Sequence, residues 1–126
     1  SKMVPQLAVV IIAQDEERTI GQVISAIKDL ECEILLVDSG SSDRTCRIAA
    51  ELGARVMHQD WLGYAAQKNF AIEQAACDWI LSLDADEILT PELLAEIKTL
   101  LQNGQLENYD GYKIARLMHI GDQPIK

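Results

Sequence analysis

The chain has 126 residues, 48% of them hydrophobic and 25% charged, the balance of one soluble domain around one core. Its 20 acids against 11 lysines and arginines give a formal net charge of −9. No basic patch is visible, which weighs against a nucleic-acid binder, and an anionic ligand would need a local device such as a metal ion or a nest of backbone amides.

In chain order, "SKM" at the start is left out of the fold reasoning as a tag remnant. "LAVVIIA", residues 7–13, reads as a buried strand rich in β-branched residues. It is far short of the ~20 residues of a membrane span, and no basic segment or cleavage site frames it as a signal peptide. Residues 18–30 place Ile20, Val23, Ile24 and Ile27 at helical spacing. "EILLVD", residues 33–38, is a second strand. Asp43 can cap a helix over 44–52 that Gly53 ends. A short third strand, 54–58, precedes a third helix over 64–76 with Ala65, Phe70 and Ala71 on its inner face. A fourth strand, 78–83, leads to a helix that starts at Thr90 and Pro91 and runs to about Gln102. Residues 111–119 read as a fifth strand.

This alternation predicts a three-layer α/β/α sandwich on a mostly parallel sheet, with strand order 3-2-1-4. Ligands of such sheets bind beyond the carboxyl ends of the strands, near the switch in strand order. The residues to watch are therefore Ala13 to Glu17, Asp38 to Asp43 and Asp84 to Glu87. Cys32, Cys46 and Cys77 form no CxxC pair, so they read as small buried residues in a reducing compartment rather than disulfide or zinc ligands. His58 and His119 are isolated from each other and read as solvated or core residues.

In "ILSLDADE", residues 80–87, an apolar run ends in Asp84, Asp86 and Glu87. In an extended backbone Asp84 and Asp86 project to one side and can face a hard divalent cation, which takes oxygen ligands from one or two carboxylates and from phosphates. The bland alternative is a solvated acidic turn. In "VDSGSSDRT", residues 37–45, Asp38 stands at a strand end where it can pair with a base or ribose donor, so Asp38→Ala is expected to weaken nucleotide binding and leave the fold intact. An ordinary strand–turn–helix connection is the alternative. Asp15, Glu16 and Glu17 favour the start of the first helix through its dipole. Lys68 can meet a phosphate as a point charge or simply be solvated. There is no GxGxxG or GxxxxGK[ST] fingerprint, and no nucleophile with a nearby base.

With these stretches in order, the chain resembles the family-2 glycosyltransferases of GT-A fold, a Rossmann-like nucleotide-diphospho-sugar transferase architecture. "VVIIAQDEERTI", "ILLVDSGSSDRT", "GYAAQKNFAI" and "WILSLDADEIL" match successive blocks of that family. The pairing of "WLGYAAQKNFA" with "SLDADE" looks most like the bacterial lipopolysaccharide-core glucosyltransferase branch. The resemblance implies a nucleotide-diphospho-sugar donor, usually uridine-linked, and a divalent metal, Mn²⁺ or Mg²⁺. It gives Asp38 to the uracil, Ala13, Gln14, Asp15 and Glu16 to the base pocket, and Lys68 to the base and diphosphate. Asp84 would face the ribose or sugar, and Asp86 would be the metal ligand.

The chain departs from the family's Pro-Thr-Tyr-Asn after the first strand: Ala13, Gln14 and Asp15 offer no aromatic ring for a base. Ser39 replaces a frequent second aspartate. The family's catalytic base would lie beyond Lys126. Residues 4–126 thus correspond to the nucleotide-sugar-binding portion, with the acceptor half absent. The implied activity is inverting transfer of a sugar to a cell-envelope glycan or lipopolysaccharide-core acceptor. The rivals are a non-catalytic nucleotide-sugar-binding module and a nucleotidyltransferase, although the latter usually carries a basic glycine-rich loop where this chain has "AQDEERT". A cytoplasmic location is expected, and peripheral association with the inner face of the membrane is compatible with it.

Overall fold

The computed structural model describes residues 7–77 and 79–102. Strands and helices alternate: β1 (Leu7–Ala13), α1 (Ile20–Ala26), β2 (Cys32–Asp38), α2 (Thr45–Glu51), β3 (Arg55–His58), α3 (Tyr64–Gln74), β4 (Trp79–Asp84) and α4 (Pro91–Gln102). All strand pairs are parallel, and the order is β3-β2-β1-β4, as the alternation predicts. The fifth strand expected at 111–119, and with it His119, lies outside the described residues.

β1 organises the sheet. Every one of its residues is buried, because both of its edges are paired and both of its faces are covered. Leu7, Val9, Ile11 and Ala13 point into the larger core with Ile20, Val23 and Ile24 of α1, Ala49 of α2, and Ile97 and Leu100 of α4. Val10 and Ile12 point the other way, to Leu35, Val37 and Ala71 of α3. The chain steps outward from β1 to β2 to β3, then returns across the sheet to β4 on the far side of β1. With right-handed crossovers, that reversal puts α3 on the face opposite α1 and α2, and it opens a crevice at the carboxyl ends of β1 and β4.

The helix ends differ from expectation for local reasons. α1 stops at Ala26, and the chain continues in tighter turns, with Ile27 N–H bonded to Ile24 O and Leu30 N–H to Ile27 O. Ile27 and Leu30 stay buried through those turns, so the apolar spacing outlasts the helix. Asp43 lies two residues before α2, yet its Oδ1 accepts the Thr45 N–H at 2.9 Å and does the capping from there. Gly53, at φ +99°, ends that segment in a conformation that suits glycine. Thr90 Oγ1 accepts the Leu93 N–H at 3.2 Å at the start of α4. In α3 the inner face is Gln67 and Ala71, with Phe70 beside it, while Ala65 is exposed. The three cysteines are half-buried rather than buried, and burial pushes the thiols of Cys32 and Cys46 up to about 11.

Ile11→Ala, in the fully buried centre of β1, should cost roughly 2–5 kcal/mol in urea unfolding. Ile72→Ala, at a position 36% exposed on α3, should stay within about 0.5 kcal/mol of the native chain. Similar costs for both would mean that β1 is not the centre of the core.

Candidate functional site: a cleft at the carboxyl ends of the strands

Parallel pairing places Ala13 beside Asp38 and Ile12 beside Asp84, so the ends of β2, β1 and β4 converge. Above them lies a cleft of about 450 Å³. Ile12 and Ala13 of β1 line it with Gln14 and Glu16 of the loop that follows, Ser39 just past β2, Asp84 at the end of β4, and Ala85 and Asp86 in the turn after it. Trp61 and Tyr64, from the connection into α3, complete the wall.

Two loops at this end are laced together. The Asp15 N–H donates to Ser41 Oγ at 2.7 Å, and Asp15 Oδ1 accepts the Ser42 N–H at 2.8 Å and the Asp43 N–H at 3.3 Å. The Glu16 N–H donates to Thr45 Oγ1 at 2.8 Å and the Glu17 N–H to Asp43 Oδ2 at 3.2 Å. Glu17 in turn accepts the Arg44 N–H at 3.1 Å. Asp15 adopts φ +55° to make these contacts, a conformation that aspartate tolerates better than most residues. The acidic run therefore does not supply the first turn of α1, which begins only at Ile20 and holds no acid there. Its main task is to bind the second loop.

Asp38 is part of the same lacing. It is 4% exposed; its Oδ2 accepts the Gly40 N–H at 2.9 Å and the Ser41 N–H at 2.7 Å, and its Oδ1 accepts the Ser41 hydroxyl at 2.5 Å. The Asp38 carboxylate thus fills the turn's own amide nest, so its removal is expected to cost the fold stability as well as any ligand contact. Neither Asp38 nor Asp15 lines the cleft. Ser39 does, and its hydroxyl donates to Gln14 Oε1 at 2.9 Å.

Asp84 closes β4, but the chain turns at Ala85 and Asp86 instead of continuing extended, so the same-side spacing argument for Asp84 and Asp86 does not apply. The turn brings both to the cleft by another route. Glu87 Oε1 accepts the Asp84 N–H at 2.6 Å, and the Glu87 N–H returns to Asp84 O at 3.1 Å. Thr19 Oγ1 donates to Ala85 O at 2.8 Å and ties the turn to α1. Glu87 is thus engaged by backbone, which leaves Asp84 and Asp86 as the carboxylates presented by β4. Lys68 Nζ lies 3.2 Å from Asp84 Oδ1, and the Tyr64 hydroxyl donates to both oxygens of Asp84, at 3.1 and 3.2 Å. Burial works against the Lys68 charge, but the Tyr64 hydroxyl and Asp84 outweigh it and hold its pKa above the usual value. Lys68 also sits 4.9 Å from the Tyr64 ring centroid. It is not among the residues that line the cleft. Asp86 is exposed, and no side-chain hydrogen bond or ion pair engages it among the described residues.

The cleft is electronegative. The Glu16 carboxyl is held above its ordinary value, first by burial and then by Asp86, Asp43, Asp84 and Asp15. Among the described residues no cluster of three His, Cys, Asp or Glu side chains forms a metal cage. Asp84 and Asp86 instead fit the pattern of a hard cation that one or two carboxylates hold and that ligand oxygens complete. The residues not foreseen from sequence are Trp61, Tyr64 and the fully buried Gln67, whose Oε1 accepts the Leu62 N–H at 3.0 Å and whose Nε2 donates to Gln59 O at 2.9 Å. The "WLGY" pair of aromatics just past a strand end was the available signal. His58 is exposed and pairs with Asp60 at 2.7 Å.

Asp38→Ala should destabilise the apo chain by roughly 2–4 kcal/mol in chemical denaturation, because part-buried amides at Gly40 and Ser41 lose their acceptor. Glu16→Gln should do the opposite at neutral pH. A carboxyl whose folded pKa is raised makes the fold less stable as pH rises from the ordinary value of 4.5 through the raised one. The variant should therefore melt above the native chain at neutral pH, and the gap should close near pH 4, about where the carboxyl is protonated in both states. A gap that widens on acidification would contradict the electrostatic reading.

The glycosyl transferase family 2 model matches residues 8–118. An uncharacterized glycosyltransferase of Rickettsia typhi is 40% identical over 119 residues, covering 94% of this chain and 41% of that protein. The lipopolysaccharide core biosynthesis glycosyltransferase LpsC of Rhizobium meliloti is 36% identical over 121 residues, covering 90% of this chain and 44% of its own length. The chain thus spans less than half of these relatives. Among solved structures, glucosyl-3-phosphoglycerate synthase from Mycobacterium tuberculosis, in complex with Mn²⁺, UDP and glucosyl-3-phosphoglycerate, superposes with a TM-score of 0.60 at 27% identity over 75% of this chain and 40% of that one. Four successive motifs, the β3-β2-β1-β4 sheet with its cleft, and these likenesses agree: the chain belongs to glycosyl transferase family 2 and has the GT-A fold.

Proposed function

We propose that the cleft binds a nucleotide-diphospho-sugar, uridine-linked, together with Mn²⁺ or Mg²⁺, and that the protein transfers the sugar with inversion to a cell-envelope glycan, such as the lipopolysaccharide core. Residues 4–126 are the donor-binding portion in this reading. The acceptor side and the base that deprotonates the acceptor hydroxyl correspond, in this reading, to the part of the longer relatives that this chain does not span. Support for the donor comes from the structural relative that binds UDP and Mn²⁺, and for the acceptor from the name of the Rhizobium relative. Family membership weighs against a nucleotidyltransferase.

The observation that carries the reading is where the backbone amides go. Consecutive amides from Gly40 to Thr45 all donate to side chains of the two laced loops. They are not available to a diphosphate, and the carboxylates of the cleft repel one. Of the two devices open to an acidic protein, a cation is the one that remains. Asp86 would hold it directly, with Asp84 beside it. When bound, the ion would supply Lewis-acid stabilisation of the departing diphosphate. The chain's own contribution is orientation: Tyr64 and Lys68 fix the Asp84 carboxylate, Thr19 and Glu87 fix the turn that carries Asp86, and Ala13, Gln14, Glu16 and Ser39 form the floor for the nucleoside. Asp38 and Asp15 serve the donor by shaping that floor. We place the protein in the cytoplasm, a location compatible with peripheral association at the inner face of the membrane. Among the described residues no helix is long and apolar enough to cross a membrane.

Asp86→Asn should abolish Mn²⁺-dependent UDP binding in calorimetry, Asp84→Asn should weaken it less, and the apo melting temperature of Asp86→Asn should hold or rise, since a repelled charge is gone. Native chain at ~100 times the dissociation constant of UDP should gain ~2.7 kcal/mol of stability. If no nucleoside diphosphate stabilises the chain with either metal, the donor reading is wrong.

A further inference from the structure

We propose that Trp61 is the stacking platform for the nucleobase and that Gln67 is the positioning residue that presents it; this rests on the donor reading above. Trp61 is 55% exposed and lines the cleft. A half-exposed indole on the wall of a concave site is an unusual use of a large apolar surface and marks a place for a flat, apolar partner. The exit of β1 offers no aromatic ring, since Ala13, Gln14 and Asp15 stand there.

The chemistry of the lining says which part of a nucleotide Trp61 would meet. Trp61 stands three residues before Tyr64, whose hydroxyl reaches Asp84. It shares the cleft lining with Gln14, Ser39, Asp84 and Asp86. The carboxylate end suits the cation and the diphosphate. Of the same lining, Trp61, Gln14 and Ser39 suit the heterocycle, which offers a π face to the indole and polar edges to the side chains.

The loop is not left to chance. Gln67 is 0% exposed, and its amide bonds the chain on both sides of Trp61, at Gln59 O and at Leu62 N–H. The Gln67 backbone N–H bonds Gly63 O at 2.8 Å, and Gly63 sits at φ +103°, a turn that suits glycine. A buried amide with both ends engaged specifies one loop shape, whereas half-engaged it would be a liability. That shape is what holds the indole on the cleft.

The chain has 2 tryptophans, and Trp79 lies at the amino end of β4, away from the cleft, so Trp79→Phe leaves Trp61 as the only indole reporter. In that background UDP and uridine with Mn²⁺ should quench the emission saturably, and pyrophosphate with Mn²⁺ should not. In calorimetry on the otherwise native chain, Trp61→Ala should weaken UDP binding roughly 5- to 150-fold, and Trp61→Phe should restore most of it. Pyrophosphate binding should be unchanged in both. Gln67→Met, which keeps the volume and loses both hydrogen bonds, should weaken UDP and not pyrophosphate. Combined with Trp61→Ala it should add nothing further. If UDP binds Trp61→Ala as tightly as the native chain, the stacking inference is overturned and the donor reading stands. If the native chain binds no nucleoside diphosphate, both fall.

Discussion

The reversal of chain direction around β1 is the constraint from which the rest of this structure follows. Two crossovers move outward, to β2 and β3, and the third returns past β1 to β4. Because crossovers have one hand, the return carries α3 to the opposite face. β1 is thereby buried on both sides, which explains its unbroken apolar, β-branched sequence. The same reversal sets the β2, β1 and β4 ends side by side and swings the α3 entry over them. Tyr64 and Lys68 meet Asp84 for that reason, although they lie 20 and 16 residues from it in sequence.

A second consequence concerns charge. The loops after β1 and β2 are short and polar, and their amides find acceptors in each other's side chains. Such lacing makes the floor of the cleft rigid, because few of its polar groups can change partner without leaving another unpaired. It also removes the anion-binding capacity that a loop leading into a helix often has. The cleft is left with more carboxylate than it can neutralise, and Lys68 answers only Asp84. Rigidity and electronegativity thus have one origin, and together they favour a ligand that arrives with a cation.

The sheet was legible in the sequence because its signals are one-dimensional. An apolar run such as residues 7–13 and a Thr-Pro helix start such as 90–91 need no knowledge of neighbours. Helix ends were less so. Burial continues through Ile27 and Leu30 after α1 has become turns, and a pattern of burial cannot distinguish the two. The site was legible in part. Asp84, Asp86, Gln14 and Glu16 stand where strand ends put them. Asp38 stands out at a strand end in the sequence, but its partners two and three residues away make it a loop architect, and no spacing shows that before the turn is built. Gln67 was invisible, since a glutamine on a helix reads as surface until the preceding loop folds over it. Taken alone, Trp61 carries no signal in the sequence, because its place on the cleft depends on α3 returning over the sheet.

In the proposed function the carboxyl end of this sheet is a nucleotide-diphosphate site. Backbone amide NMR of the native chain, titrated with UDP and Mg²⁺, addresses it directly. Saturable shifts are expected at Ala13 to Glu16, Ser39, Trp61 to Tyr64 and Asp84 to Asp86, with quiet amides at Cys32 and Trp79 at the other end of the strands. Shifts centred on that other end, or none at saturating nucleotide, would contradict it.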